Sequence, residues 1–359
     1  MYEPVYRITN HILKHIGIID ACREIILHAP LVPAWERKFQ EDAIVRQAHH
    51  GTHLEGNELN LSEAAQVVAG QTVVGRPRDI QEVINYRNVI EYIESLVHDP
   101  ESSKDISTNP SISLTQDTML TIHRHTTERI LPPDKIGSFR TTQVVIKNSE
   151  TGEVSFRPPA AVEVPFLIKD FVSWINHRIN DTHPVLVSGI VQYEIARIHP
   201  FIDGNGRVAR ALATLVLYQG GYDIRRFFSL EEYYDSHAKG YYDALQSVGR
   251  NNGDMTVWLE YFVEGLAIEL NRIKEKINRL SADIQLKEQM GGKQLFLSER
   301  QIKIIEHARS LGYIQNKMFS QLFPMVSEDT ILRELHDLIK NGILLKKGKT
   351  KGAKYVLKS

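Results

Sequence analysis

The chain of 359 residues carries 43 Lys and Arg against 44 Asp and Glu, which gives a formal net charge of -1. At about 150 residues per domain, this length predicts two or three domains. Hydrophobic residues make up 42% and charged residues 24%, which excludes a largely disordered chain. A single cysteine, Cys22, excludes a disulfide framework and a multi-cysteine metal site.

We expect a cytoplasmic protein with no membrane partner. The N-terminal residues show no basic stretch followed by an apolar run, which a secretory signal would require. No apolar run approaches the ~20 residues that a membrane-spanning helix needs. A single cysteine is also typical of a reducing compartment.

The neutral total conceals a basic C-terminal segment. Residues 300–359 hold 12 Lys and Arg against 5 Asp and Glu. Such a segment favours an anionic partner, with nucleic acid first, but a solvated lysine-rich surface explains the charge equally well. Both interpretations stay open on charge alone.

Helical spacing of apolar residues dominates the chain and predicts a mostly α fold. Polar, turn-forming residues at 99–111 predict a loop, and Gly291-Gly292 marks a linker. Two β-branched runs around Asn148 and Gly152 predict a β-hairpin at 140–156. Helices are predicted at 10–28, 34–50, 62–68, 79–97, 114–131, 163–180, 184–197, 207–219, 231–248 and 254–283.

The last 60 residues form a separate predicted unit. Helices at 299–310 and 315–322 precede a longer helix that starts at Ser327 and ends at Asn341-Gly342. A strand, a Lys/Gly turn and a second strand follow. This order resembles a small winged helix-turn-helix domain, a fold that binds DNA or serves as a protein-interaction or dimerisation module.

The most informative segment is 199–210, HPFIDGNGRVAR. Gly204, Asn205 and Gly206 permit positive φ angles, so consecutive backbone N–H groups can converge on one anion at the start of a helix. Arg207 and Arg210 lie three residues apart, near the first turn of that helix, and suit a polyphosphate.

Two further residues of this segment carry chemistry. The converging N–H groups of residues 204–206 are called the nest below. Asp203 stands beside this nest, where a carboxylate can hold Mg²⁺. His199 precedes the nest by one turn, where a neutral imidazole can take a proton from an attacking hydroxyl. A capped Gly-rich turn with a structural histidine is the alternative interpretation, and the joint presence of all these residues within twelve positions disfavours it.

This segment matches the signature of the Fic family, and the resemblance covers roughly residues 30–265, with the hairpin before the motif. It implies a Fic helical-bundle core that transfers AMP from ATP to a Ser, Thr or Tyr hydroxyl of a protein, self-modification included. It implies that His199 is the base, that Asp203 holds Mg²⁺, and that Gly204, Asn205 and Gly206 cradle the phosphates. Arg207 and Arg210 would hold the outer phosphates of ATP.

Further roles also follow from the resemblance. The hairpin resembles the family's flap, which pairs with an extended target segment. Tyr242, in the Tyr241-Tyr242 pair, is expected to line the adenine pocket, although packing is the commoner role of a helical tyrosine. Gly249 stands where some relatives have an asparagine that touches the base.

Residues 50–60, HGTHLEGNELN, resemble the inhibitory motif of autoinhibited Fic proteins. Glu55 and Gly56 match its end, whereas Gly51 replaces its usual Ser or Thr. The resemblance implies that Glu55 pairs with Arg210 and occupies space that the γ-phosphate needs. Glu55 as an ordinary helix-end carboxylate is the alternative, and in some relatives this glutamate orients a water for removal of AMP.

The resulting domain prediction places an N-terminal helical region with the inhibitory helix at 1–110 and the Fic core at 111–285. A linker at 286–298 and the winged helix at 299–359 follow. His49, His50 and His53 cluster near Glu55, and His50 and His53 are three residues apart, as in helical metal pairs. No third ligand of the right kind is evident nearby, so we assign these histidines to a helix surface. His123 and His125 receive no role, and Phe201 is expected to anchor the loop of His199.

Three functions of different class stay open. The first is a protein adenylyltransferase that uses ATP and Mg²⁺ under restraint by Glu55, or a relative that moves another nucleotide-derived group or removes AMP. The second is a DNA-binding regulator that acts through the C-terminal unit, which could instead bind a protein or form a homodimer. The third is a catalytically silent scaffold.

Overall fold

The computed structural model describes residues 2–29, 31, 33–97, 114–147, 152, 154–178, 181–289, 297–323, 326–348 and 352–358. Within these ranges the fold is mostly helical, and strands occur only as two short antiparallel pairs. None of the helices in the described part combines the length and apolar character required to cross a membrane. The predicted loop at 99–111, the hairpin tip at Asn148 and the linker at Gly291 lie outside the described residues.

The helices mostly follow the predicted order. Their bounds are α1 Asn10–His28, α2 Pro33–His53, α3 Leu61–Val68, α4 Pro77–Val97, α5 Gln116–Thr127, α6 Val164–Arg178, α7 Pro184–Ile198, α8 Asn205–Leu217, α9 Leu230–Ser236, α10 Ala238–Arg250, α11 Thr256–Gln289, α12 Glu299–Leu311, α13 Phe319–Leu322 and α14 Glu328–Lys340. The strands are β1 Ile146–Lys147, β2 Val154–Phe156, β3 Leu344–Lys347 and β4 Lys354–Leu357.

Contacts divide the chain into two compact units. The first comprises residues 1–28 and 39–275, and the second comprises 29–38 and 276–359. In the first unit, α7 and α8 pack along each other at the centre, and α4 and α5 cover α8. Almost every residue of α7 and α8 is buried, because both helices are apolar around most of their circumference. The predicted core residues Trp174, Trp258 and Phe201 are buried there.

The second unit has its own apolar core beneath two strands. Ile331, Leu335 and Leu338 on one face of α14 pack with residues of α12 and with Leu344 of β3. Strand β3 pairs with β4 in antiparallel register, and Ile314 bridges to Tyr355 at the edge. Three helical segments followed by a β-hairpin are therefore present in the predicted order.

The prediction of one helix at 231–248 is wrong. The chain breaks it at His237, whose φ of -128° and ψ of 37° end α9 and begin α10. The amphipathic pattern continues across the break, and Ser236 and His237 are only weak helix formers. The interruption therefore depends on tertiary packing that the apolar spacing does not report.

The predicted hairpin at 140–156 is shorter than expected. Only Ile146–Lys147 and Val154–Phe156 pair as strands, with an irregularity in the register between them. Arg140 lies before β1 and is not part of a strand. Its buried side chain donates to the backbone oxygens of His199 and Pro159. The helix predicted at 207–219 begins earlier, at Asn205, and a wider turn at Tyr218–Tyr222 replaces its last residues.

Candidate active site

The loop between α7 and α8 reverses the chain within six residues. His199 ends α7 with a φ of 51°, and Gly204 precedes α8 with a φ of 80°. A left-handed backbone is unusual for histidine and costs roughly 1 kcal/mol or more, so the surrounding contacts must hold it. The loop thereby presents His199 beside the N-terminus of α8.

The ring of His199 has a defined hydrogen-bonding state. Its Nδ1 lies 3.2 Å from the backbone oxygen of Ala196, and a carbonyl can only accept. The proton is therefore on Nδ1, which leaves the lone pair on Nε2. Burial lowers the pKa of His199 below its ordinary value, although Ala196, Glu55 and Asp203 oppose the shift. The neutral imidazole is the form that a general base requires.

Arg140 holds the loop from the flap side, a role that the sequence reasoning missed. Its Nε donates to the oxygen of His199 at 2.8 Å, and one terminal nitrogen donates to the oxygen of Pro159 at 2.6 Å. Its backbone N–H donates to Pro200 at 2.9 Å. One buried side chain thus connects both ends of the flap region to the histidine loop. The position of Arg140 at the start of the predicted hairpin is the sequence feature that could have indicated this role.

The base of the loop is braced from within and by His123. Asn205 accepts from the N–H of Phe201 and donates to its oxygen, both at 2.9 Å. The ring of His123 stacks on Phe201 with centroids 3.8 Å apart, and its Nε2 lies 3.2 Å from the oxygen of Asp203. Phe201 anchors the loop as expected, whereas leaving His123 without a role was wrong because its partners are distant in sequence.

Because the side chain of Asn205 is used to brace the loop, only its backbone N–H can contribute to the expected phosphate cradle. Its side chain is 2% exposed and engaged with Phe201, so only the backbone of Asn205 faces the nest. Gly206 follows in the first turn of α8. Glycine at 206 leaves its backbone uncovered, as an anion nest requires.

Asp203 is an ionised carboxylate at the mouth of the nest. Arg78 donates to its Oδ2 at 2.9 Å, Gly204 donates to its Oδ1 at 2.6 Å, and Arg207 lies 3.5 Å away. Burial by itself would raise the pKa of Asp203, but Arg207, the Gly204 N–H and Arg78 outweigh it and hold the pKa below its usual value. Arg78, on α4, was not predicted.

Both arginines of the motif are buried, each 2% exposed. A terminal nitrogen of Arg207 lies 3.1 Å from Glu82, another residue of α4 that the sequence did not indicate. The Nε atoms of Arg207 and Arg210 have no hydrogen-bond partner among the residues that the structure describes. Buried guanidinium groups with unused donors are suited to receive an anionic ligand.

Glu55 occupies the nest in this structure. Its Oε1 accepts from Arg210 at 2.9 Å, and a Cβ built on Gly206 would collide with the Glu55 carboxylate. Burial would lower the pKa of Arg210, but Glu55 and neighbouring tyrosines hold it well above its ordinary value. The predicted pairing of Glu55 with Arg210 is therefore present, and the carboxylate lies against Gly206.

Glycine at position 51, where the inhibitory motif usually has Ser or Thr, is explained by the space available. A Cβ on Gly51 would lie 2.8 Å from Cε1 of Tyr86, which is closer than real contacts allow. The carbonyl of Gly51 also accepts from Arg210 at 2.8 Å. Arg210 therefore contacts Gly51 near the end of α2 and Glu55 in the turn that follows, and Tyr86 fills the space that a larger residue at position 51 would need.

The two tyrosines of the predicted pair have different environments. Tyr241 is 2% exposed and its hydroxyl accepts from Gln192, so it belongs to the core. Tyr242 is 42% exposed, and its hydroxyl donates to the oxygen of Leu54 at 3.3 Å. Tyr242 thus lies at the open side of the site, next to the segment that carries Glu55. Gly249 is exposed and contacts nothing at the position of a Cβ.

The histidines of α2 are not all on a helix surface, which corrects that expectation. His49 is buried, and burial together with His50 and His53 lowers its pKa to about 4. His50 and His53 each place Nδ1 2.8 Å from the carboxylate of Asp235. The sequence missed this arrangement because Asp235 lies on α9, far away along the chain.

The chain is similar to several known proteins. Residues 113–217 match the model of the Fic/DOC family. A protein adenylyltransferase Fic from Culex quinquefasciatus is 25% identical over 287 residues, which are 78% of this chain and 52% of that protein. One from Drosophila grimshawi is 30% identical over 190 residues, 52% of this chain and 35% of that protein. The chain thus spans about half or less of these relatives.

Solved structures show the same fold. A Fic family protein from Desulfovibrio desulfuricans covers 99% of this chain with a TM-score of 0.65 at 22% identity, and 98% of that protein is matched. Fic-1 from C. elegans covers 77% of this chain and is itself matched over 73%, with a TM-score of 0.56 at 23% identity. The chain therefore carries a Fic domain in a mostly helical Fic fold and is homologous to protein adenylyltransferases Fic.

Proposed function

We propose that this protein transfers AMP from ATP to a hydroxyl of a protein, itself included, and that Glu55 restrains the reaction. The observation that carries the proposal is the grouping of His199, the glycine nest and two buried arginines at the turn between α7 and α8. The Nε2 lone pair of His199 can accept a proton from an attacking hydroxyl. The nest, together with Arg207 and Arg210, suits a polyphosphate. The names of the relatives support the same reaction class.

The step follows from these positions. The target hydroxyl oxygen attacks the α-phosphorus of ATP, and its proton goes to Nε2 of His199. The bond between the α-phosphorus and the oxygen bridging to the β-phosphorus breaks, and pyrophosphate leaves. The nest amides and Arg207 neutralise the phosphate charge, so positioning and electrostatics supply most of the catalysis.

A magnesium ion fits the donor set at Asp203. The carboxylate is ionised, its side chain is 36% exposed, and it stands beside the nest. Oxygen ligands of this kind are those that Mg²⁺ prefers, and the ion would neutralise charge on the α- and β-phosphates. Arg78 must give up its contact with Asp203 when the ion is held, and its long exposed side chain allows this.

We infer that the flap receives the target. Val154 and Phe156 of β2 are exposed at 41% and 37%, so this short strand has apolar side chains available to an incoming segment. Strand addition supplies main-chain hydrogen bonds with little demand on the target's sequence. Arg140 ties this flap to the histidine loop, so a segment bound there would bring its hydroxyl towards His199.

The restraint would act by competition. The Glu55 carboxylate lies against Gly206 and pairs with Arg210, where the outer phosphates of ATP would bind. A carboxylate beside a triphosphate is repelled, so ATP binding in the productive pose and the Glu55–Arg210 pair exclude each other. We therefore expect the isolated protein to be weakly active.

Label transfer from α-labelled ATP with Mg²⁺ tests both parts. Wild type, Glu55→Gly and Glu55→Gly/His199→Ala are compared with and without cell lysate. We expect labelled protein with Glu55→Gly, much less with wild type, and none after His199→Ala although ATP still binds. Absence of label in every sample would contradict AMP transfer, and equal label in wild type and Glu55→Gly would contradict the restraint.

For the C-terminal unit we propose a winged helix. Three helical segments precede the β3–β4 hairpin, and Lys346, Lys347 and Lys354 are exposed on its strands. Such a wing suits an anionic partner, and duplex DNA is the first to test. Fluorescence anisotropy at increasing salt should show affinity that falls steeply if phosphates are bound. Absence of binding at low salt would leave a protein partner or a dimer contact.

A further inference from the structure

A second chemically distinctive cluster lies at the end of α2, outside the motif of the candidate active site. His49, His50 and Asp235 each offer a ligand atom, and these atoms lie within 4.8 Å of one another. The Nδ1 of His53 lies 2.8 Å from Oδ1 of Asp235. Two imidazoles of α2 and one carboxylate of α9 therefore lie close together, and the imidazole of His53 contacts the same carboxylate.

Most of the cluster is shielded from solvent, as in a metal-binding site. The side chains of His50 and Asp235 are 15% and 12% exposed, and His49 is buried, whereas His53 is 51% exposed and leaves an opening to solvent.

The donor set selects the class of ion. Imidazole nitrogens with one carboxylate suit Zn²⁺ and related transition metals in tetrahedral geometry. Mg²⁺ and Ca²⁺ prefer oxygen ligands, so the site differs in kind from the one at Asp203. An additional group of His11, His15 and Glu264 is weaker, because its glutamate is 42% exposed and the Nδ1 of His15 is engaged by its own helix at 2.8 Å.

We propose that His49, His50, His53 and Asp235 bind one Zn²⁺-class ion and thereby pin the end of α2 to α9. In this structure, His50 and His53 contact the same carboxylate through Nδ1. Binding exchanges those contacts for ligand bonds, and a neutral ring that coordinates through Nδ1 keeps its proton by moving it to Nε2. His49, His50 and Asp235 already have their ligand atoms within 4.8 Å of one another, and His53 lies 2.8 Å from Asp235, so rotation of the His53 ring would complete the set.

The position of the cluster gives it a consequence for Glu55. His53 is two residues before Glu55, and Tyr242, seven residues after Asp235, contacts Leu54. An ion that holds α2 against α9 would hold Glu55 near Arg210 and strengthen the restraint. This consequence rests on the proposed function, whereas the binding of the ion does not.

Zinc titration of the tag-free chain tests the site directly. Isothermal titration of chelator-treated protein with Zn²⁺ should show one tight equivalent per chain. His50→Ala and Asp235→Asn should each weaken binding by at least about a hundredfold, since even outer-shell changes cost 10- to 100-fold. The double variant His11→Ala/His15→Ala is the control and should bind like wild type.

A spectroscopic readout separates ligation from a loss of folding. Co²⁺ in place of Zn²⁺ should give the intense visible bands of a tetrahedral site in wild type and in the control. His53→Gln changes an exposed side chain, so it should keep the wild-type melting temperature without metal, yet lose those bands and the stabilisation by Zn²⁺. Wild-type zinc affinity in His50→Ala, Asp235→Asn and His53→Gln, or loss of affinity only in the control, would overturn the proposal.

The coupling to Glu55 has its own outcome. With Zn²⁺ bound, AMP transfer by wild type should fall further, whereas transfer by Glu55→Gly should not change. If Zn²⁺ binds as described and both proteins respond alike, the link to Glu55 is wrong while the metal site stands. If neither protein transfers AMP under any condition, the proposed function fails and the titration still decides the metal site.

Discussion

Oε1 of Glu55 lies 2.9 Å from a terminal nitrogen of Arg210, across 155 residues of sequence. Arg210 is 2% exposed, and the same nitrogen also donates to the oxygen of Gly51. A buried guanidinium needs a partner of opposite charge, because an unpaired buried charge is costly. In this structure the partner is a residue of the chain, and we propose that a phosphate of ATP replaces it.

Replacement of Glu55 should therefore strengthen ATP binding. A charge-assisted hydrogen bond is worth about 1.5–3 kcal/mol, so we expect Glu55→Gly to bind ATP about tenfold more tightly or better. Isothermal titration with ATP and Mg²⁺ measures this. Glu58→Gly is the matched control, because that glutamate is 71% exposed and pairs with Arg76 instead. Equal ATP affinity in wild type and Glu55→Gly would contradict competition at this position.

The Gly51–Tyr86 contact predicts a destabilising substitution. Gly51→Ser restores the usual residue of the inhibitory motif but places a Cβ 2.8 Å from the Tyr86 ring. Overpacking of this kind costs about 1–3 kcal/mol, which should lower the melting temperature by several degrees. In a Tyr86→Leu background the ring atoms are gone, so the same serine should cost much less. If Gly51→Ser lowered the stability equally in both backgrounds, the contact with Tyr86 would not be the reason for glycine at position 51.

Arg140 should act as a positioning residue. It touches no reacting atom in the proposed mechanism, but it holds the oxygens of His199 and Pro159. In a Glu55→Gly background, Arg140→Gln should lower kcat about tenfold to a hundredfold with little change in the KM for ATP. Arg140→Lys should recover part of the rate, and the exposed Arg157→Gln serves as control. A rise in KM with unchanged kcat would show that Arg140 acts on ATP binding instead.

The rate should depend on pH through His199. Its pKa lies below the ordinary value of 6.5, chiefly because of burial, and only the neutral ring accepts a proton. Transfer should therefore rise with pH and show an apparent pKa under 6.5. The kcat/KM of Glu55→Gly between about pH 5 and 8 measures this. A rising limb centred well above the ordinary histidine value would exclude His199 as the free-enzyme base.

The sequence predicted the local parts of this protein well. Apolar spacing identified nearly every helix, because burial of one helix face repeats every 3.6 residues and is visible in the residues themselves. The segment 199–210 also carried its own evidence, since a nest, a nearby histidine and two arginines on one turn are local arrangements. The pairing of Glu55 with Arg210 was accessible only through the resemblance to a known motif.

Only the tertiary structure decided the rest, because the partners lie on different helices. Arg140, His123 and Arg78 support the loop through contacts made across more than fifty residues, and no local pattern reports such contacts. The break at His237 and the burial of His49 likewise depend on neighbours that folding brings together. Local sequence determines which groups can react or bind, whereas packing determines which of them meet.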